Sequence, residues 1–125
     1  MSKATILIID DDPAHLEIYR LIVESAGYKG LTTLVSLGGM DFPDQEPVSG
    51  VLLDYRLAPN ISARDIALKA KARYPLAPII LLSDLYIAPA DTAPIVQAFV
   101  RKGNPEQLIT VLRKFVAQTN GTKQE

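Results

Sequence analysis

Four short runs of uninterrupted apolar residues punctuate the chain, at positions 6–9, 51–53, 79–82 and 98–100. They are rich in Ile, Val and Leu and do not alternate with polar residues. Strands buried on both faces read this way, as in a parallel sheet covered by helices. A fifth segment, 31–35, is made more polar by Thr32 and Thr33 and suits an edge strand.

Between the runs the apolar period becomes helical. Leu16, Tyr19, Val23 and Ala26 share one helical face, with Ile18 and Ile22 beside it. Asp12 supplies an N-cap, Pro13 fits the first helical position and Gly27 fits the stop. A second helix follows Ser62, whose spacing to Asp65 resembles a capping box; Ile66, Ala67 and Ala70 form its apolar face and Pro75 ends it. A third follows Asn104, with Pro105 in first position, Gln107 able to reach back, and Leu108, Val111, Leu112 and Phe115 as its buried stripe.

Two connections are poor helix material. Residues 35–48 include Gly38, Gly39, Pro43 and Pro47, so any helix there is short. Residues 85–97 include Pro89 and Pro94, so the helix expected before the last strand is cut to about two turns or replaced by a loop. The alternation as a whole predicts right-handed βαβ units and an α/β fold built on a doubly wound, five-stranded parallel sheet. The flavodoxin-like order 2-1-3-4-5 comes with that class. With no repeat or linker, a single domain over 1–118 and a polar tail over 119–125 are expected.

Composition narrows the function classes. Of 125 residues 48% are hydrophobic and 22% charged, with a formal net charge of −1, so no bulk electrostatic grip on nucleic acid or an anionic membrane is expected. The absence of cysteine excludes disulfides, thiolate nucleophiles and sulfur-based zinc sites. No apolar run approaches a membrane span and the N-terminus lacks a signal-peptide layout, which makes a cytoplasmic protein the default. The single histidine, His15, cannot form a histidine metal cluster alone; it reads as an exposed first-turn residue without chemistry. Lys69, Lys71 and Arg73 read as a solvated helix face.

In open α/β sheets, ligands bind outside the carboxyl ends of the strands. The first strand ends in Asp10, Asp11 and Asp12, the third in Asp54, the fourth in Ser83 followed by Asp84, and the fifth in Arg101 and Lys102. Clustered carboxylates repel one another unless a cation lies between them, and oxygen donors alone favour a hard ion such as Mg²⁺. A free carboxylate can act as a nucleophile and form an acyl phosphate. Lys102 and the metal would then neutralise phosphoryl charge, and the Ser83 hydroxyl would hydrogen-bond a phosphate oxygen. Asp12 reads first as a helix cap.

These four strand ends resemble the motifs of bacterial two-component response-regulator receiver domains of the chemotaxis-Y type. The opening Ile6-Leu7-Ile8-Ile9-Asp10-Asp11-Asp12-Pro13, the strand Val51-Leu52-Leu53-Asp54-Tyr55-Arg56-Leu57, the strand Ile79-Ile80-Leu81-Leu82-Ser83 and the segment Phe99-Val100-Arg101-Lys102 occur in the family's order across nearly the whole chain. The resemblance implies that Asp54 accepts the phosphoryl group. It implies a Mg²⁺ site made by Asp10, Asp11, Asp54 and the backbone carbonyl of Arg56, with Asp11 the more direct ligand of the first pair. Ser83 and Lys102 would hold the phosphoryl group, and Ser83 and Phe99 would act as switch residues. A histidine kinase or histidine phosphotransfer protein would be the donor, and a downstream protein or output domain, unidentified by the sequence, the recipient. Dimerisation is left open, and direct nucleic-acid or membrane binding is not expected.

The chain departs from the family in four places. Ala58 stands where a proline is usual, Pro59 follows it, and Ala63 falls where glycine is usual. Asp84 follows Ser83 where a small residue is usual and is expected to modulate phosphorylation or metal affinity. Gly103 replaces a proline, and the 85–97 connection is shortened. Two alternatives stay open. One is a pseudo-receiver that binds proteins without phosphorylation. The other, an aspartate-nucleophile phosphohydrolase, is disfavoured because nothing after Asp54 supplies a second carboxylate or a cap over a substrate.

Overall fold

The computed structural model describes residues 3–36, 39–43, 47–57 and 60–117. The Ala58–Pro59 departure, Gly38, the domain boundary at 118 and the polar tail lie outside the described residues. The elements run β1 (Thr5–Asp10), α1 (Pro13–Ser25), β2 (Lys29–Leu34), β3 (Gly50–Asp54), α2 (Ala63–Arg73), β4 (Ile79–Ser83), β5 (Ala98–Arg101) and α3 (Pro105–Phe115). All strand pairs are parallel, in the order β2-β1-β3-β4-β5. This is the doubly wound α/β sheet expected from the apolar runs.

The central strands are buried along their whole length because each face has its own core. Ile6, Ile8, Leu52, Ile80 and Leu82 face Leu16 and Val23 of α1 and Leu108 and Leu112 of α3. Leu7, Ile9, Leu53, Ile79 and Leu81 face Ile66, Ala67 and Ala70 of α2. Period-two side-chain alternation therefore feeds two cores from one uninterrupted apolar run. The edge strand β2 is less buried than the central strands: Lys29, Thr32 and Leu34 are exposed, while Thr33 is buried.

The helix starts follow the capping residues. Asp12 Oδ1 accepts from the Ala14 amide at 2.9 Å, Ser62 Oγ from the Asp65 amide at 3.3 Å, and Asn104 Oδ1 from the Gln107 amide at 3.1 Å. Gly27 (φ 98°) ends α1, and Gly103 (φ 83°) makes the turn into α3, a left-handed position that favours glycine. One detail of the α3 stripe differs from expectation: Phe115 stays partly exposed, and Val116, just past the helix, enters the core instead.

Neither weak connection holds a helix among the described residues. Between β2 and β3 the backbone forms a small bridge from Ser36 to Gly39. Between β4 and β5 it runs in turns: the Pro89 carbonyl accepts from the amides of Thr92 and Ala93, and the Thr92 carbonyl from those of Ile95 and Val96. Of the two outcomes expected for 85–97, the loop is the one realised. Ile95, Val96 and Phe99 pack against the α2-side core in its place. Gln97 closes the segment, its side-chain oxygen accepting from the Ile79 amide at 2.7 Å. No helix among the described residues is long and apolar enough to cross a membrane.

The start of β3 tests this packing. A Cβ on Gly50 would lie 2.8 Å from Val116 Cγ2 and 3.1 Å from Ile6 Cδ1. Because valine is stiff at χ1, Gly50→Ala is expected to cost about 1–3 kcal/mol in urea denaturation. Unchanged stability would mean that Val116 does not close over the strand.

Candidate functional site

The sheet order places β1 and β3 side by side, with β4 and β5 following, so the residues that end these strands share one edge. Asp54 ends β3 in register with Leu82, and Asp10 ends the neighbouring β1. Ser83 ends β4 opposite Arg101 of β5, and the Lys102 amide donates to the Ser83 carbonyl at 2.8 Å. Apolar residues before each of them hold the strands in the core, so these polar groups are carried inward as well as together.

Asp54 is only 2% exposed. Its Oδ1 receives Lys102 Nζ at 2.7 Å and the Arg56 amide at 3.3 Å. A buried carboxylate is costly unless it is paired and hydrogen-bonded, and Lys102, itself 21% exposed, supplies the pairing charge.

Asp10 is completely buried, and its two oxygens have different surroundings. Oδ1 accepts from the Asp11 amide at 2.7 Å and the Asp12 amide at 3.2 Å. Oδ2 is buried with no hydrogen-bond partner. Burial first, then the charge of Asp54, pushes the Asp10 carboxyl up to about 8. The same field reaches Tyr19, whose phenol is pushed up to about 12 by burial and by Asp54 and Asp10.

The geometry adds to the sequence reading of His15, which sits in the first turn as expected. Its side chain is 45% exposed, but Nδ1 is buried and unpartnered, 3.5 Å from Asp10 Oδ2. Nε2 lies 3.6 Å from Asp12 Oδ2. Asp10, His15 and Asp54 offer ligand atoms all within 4.8 Å of one another. A signal for this was present: with Pro13 opening the helix, His15 sits in the first turn, directly above the acidic strand end. A single histidine in a helix turn carries no metal-site signal of its own, because the acidic groups it meets come from strand ends distant in sequence or on another element.

The other expected residues fall as follows. The Asp11 amide is turned onto Asp10, and its carboxylate is not part of the three-residue cluster. Ser83 is fully buried at the strand end, its Oγ accepting from the Leu85 amide at 3.0 Å. Asp84 pairs with Arg56, Nε to Oδ1 3.3 Å, both largely exposed. The Arg56 backbone stays beside Asp54 through its amide. Phe99 is half-buried on β5 against the α2-side core. Tyr55, next to Asp54, donates its hydroxyl to Asp91 at 3.1 Å, tying the acceptor loop to the β4–β5 connection.

This donor set fits a divalent metal ion. A buried carboxylate oxygen without a partner, a second buried carboxylate beside it and a ring nitrogen within reach are what a small cation would satisfy.

Comparison with solved structures shows the same fold. Chemotaxis response regulator CheY4 of Vibrio cholerae aligns with a TM-score of 0.74 at 16% identity, over 92% of this chain and 100% of that one. Response regulator TrrA of Thermotoga maritima, in complex with Mg²⁺–BeF, gives 0.70 at 22% identity over 90% and 99%. The N-terminal receiver domain of a two-component response regulator from Bacteroides fragilis gives 0.72 at 24% identity over 94% and 100%. The chain thus resembles CheY-like receiver domains along most of its length. No sequence-family model and no curated protein sequence matches it.

The raised carboxyl of Asp10 has a stability consequence. The folded state keeps its proton to about pH 8 while the unfolded chain loses it near 3.8, so metal-free stability falls as pH rises between those values. Asp10→Asn is expected to flatten that fall and to stabilise the metal-free protein at pH ~8 by on the order of 1–3 kcal/mol, read by urea denaturation in a chelating buffer. An unchanged pH profile would show that Asp10 ionises normally.

Proposed function

We propose that residues 1–118 form the receiver domain of a two-component phosphorelay, with Asp54 as its phosphoacceptor. The observation that carries this reading is the buried Asp54 carboxylate, held on one oxygen by Lys102 at 2.7 Å and set beside the unpartnered Oδ2 of Asp10. The receiver-type fold and the Mg²⁺–BeF complex of TrrA support it.

In this reading an Asp54 oxygen attacks the phosphorus of a phosphohistidine on a histidine kinase or histidine phosphotransfer protein. The new P–O bond makes an acyl phosphate as the P–N bond breaks, and the electron pair leaves with the imidazole. Lys102 stays with the oxygens as charge accumulates, and the Ser83 hydroxyl donates to a phosphoryl oxygen. Mg²⁺, held by Asp10, Asp11, Asp54 and the Arg56 carbonyl, would supply charge neutralisation. The chain is a switch, not an enzyme for a separate metabolite, and catalyses only its own phosphorylation and dephosphorylation. It works in the cytoplasm, where its kinase delivers phosphate.

Ser83 and Phe99 carry the response, and the 84–97 connection is its surface. Two contacts between that connection and the acceptor loop support this reading: Tyr55 to Asp91 and Arg56 to Asp84. A ligand that biases one of two loop arrangements shifts the surface offered to a downstream protein or output domain.

Acetyl phosphate with Mg²⁺ is expected to add one phosphoryl group to the intact protein by mass spectrometry. Asp54→Asn should abolish the gain, and Lys102→Ala should slow it at least about tenfold. A wild-type protein that stays unlabelled would instead be a phosphorylation-independent binding module. Asp84→Ala is expected to speed labelling a few-fold by removing negative charge near the incoming group. Unchanged labelling together with unchanged Mg²⁺ affinity would remove Asp84 from the account.

A further inference from the structure

His15 faces the acidic pocket from the first turn of α1, and no step above uses it. Its Nδ1 and Asp10 Oδ2 are both buried and both without a hydrogen-bond partner. They lie 3.5 Å apart, too far for a good N–H···O bond, whose usual length is about 2.9 Å. Two donors each about 2.1 Å from one ion at a tetrahedral angle lie about 3.4 Å apart. The observed spacing fits two ligands sharing a metal as well as it fits an ion pair, and an Asp54 carboxylate oxygen lies within 4.8 Å of both donors. On the far side of the ring, Asp12 Oδ2 stands 3.6 Å from Nε2.

We propose that His15 Nδ1, Asp10 and Asp54 form a mixed nitrogen–oxygen site that takes a borderline divalent transition ion of the Zn²⁺ or Co²⁺ class more tightly than Mg²⁺. Carboxylate and carbonyl oxygens alone suit Mg²⁺, whereas an imidazole suits transition ions, whose affinity for nitrogen donors is higher. The inference rests on the reading that this strand edge holds a divalent metal. Its consequence is competition: an ion held by His15 would occupy the acceptor carboxylate and hinder phosphorylation.

The chain has one histidine, so in tag-free protein every imidazole signal belongs to His15. Full-length, ¹⁵N-labelled protein is titrated with Zn²⁺ and, separately, with Mg²⁺ in the absence of any phosphate donor. Zn²⁺ is expected to shift the Nδ1 resonance strongly, and Mg²⁺ to leave it in place. His15→Gln and His15→Ala should weaken Zn²⁺ binding by about tenfold or more and change Mg²⁺ affinity less than about twofold. Both substitutions lie at a half-exposed ring outside the hydrophobic cores, and two variants guard against a folding defect in either one. Zn²⁺ binding with a silent Nδ1, or variants with wild-type Zn²⁺ affinity, overturns the role of His15 alone. Failure of both ions to bind overturns the metal site itself, and with it the metal-dependent part of the proposed function.

Discussion

The site is governed by the repulsion between two carboxylates that the sheet forces together out of water. Asp10 and Asp54 end adjacent parallel strands, and the apolar residues before them bury both. In a low-dielectric edge such a pair cannot remain charged without compensation. The chain answers in two ways and leaves one oxygen unanswered. Lys102 neutralises Asp54, the amides at the start of α1 take one oxygen of Asp10, and the other oxygen is left facing His15 without a partner. The buried Asp10 oxygen left without a hydrogen-bond partner fits a metal ion, and Lys102 sets its charge against the Asp54 carboxylate at 2.7 Å.

That arrangement depends on the two cores. Leu53 is fixed on the α2 side and Leu52 on the α1–α3 side, which leaves Asp54 at the strand end with no freedom to swing into solvent. A strand slip of one residue would exchange the faces and unseat both cores, so the hydrophobic pattern and the site are specified together.

Much of this was legible in the sequence because the decisive signals are local. The apolar runs marked β1, β3 and β4, which are buried along their length, and β5, which lies at the sheet edge and is buried only at Val100, while Asp12, Ser62 and Asn104 each cap the helix they precede. Pro89 and Pro94 announced the loss of a helix between β4 and β5, and turns stand there. Strand ends also located Asp10, Asp54, Ser83 and Lys102 on one edge. What escaped was the inward turn of groups from elsewhere. His15 is only half-buried, and its importance lies in which nitrogen is covered, a matter of ring orientation that periodicity does not encode. The pairing of Asp84 with Arg56 and the bond from Tyr55 to Asp91 join loops whose mutual approach depends on the tertiary fold. Those contacts also alter the view of Asp84: its charge is shared with an arginine and is not simply aimed at the acceptor.

In a working switch, charge placed on Asp54 is felt in the β4–β5 connection. The most direct measurement is the amide NMR spectrum of the protein with Mg²⁺, before and after addition of beryllofluoride, a mimic of the aspartyl phosphate. The account predicts shifts at Asp54, Ser83 and Lys102 that extend through Phe99, Asp84 and Asp91. A spectrum that does not change, or changes only at the strand ends, would contradict the claim that this chain is a phosphorylation-driven switch.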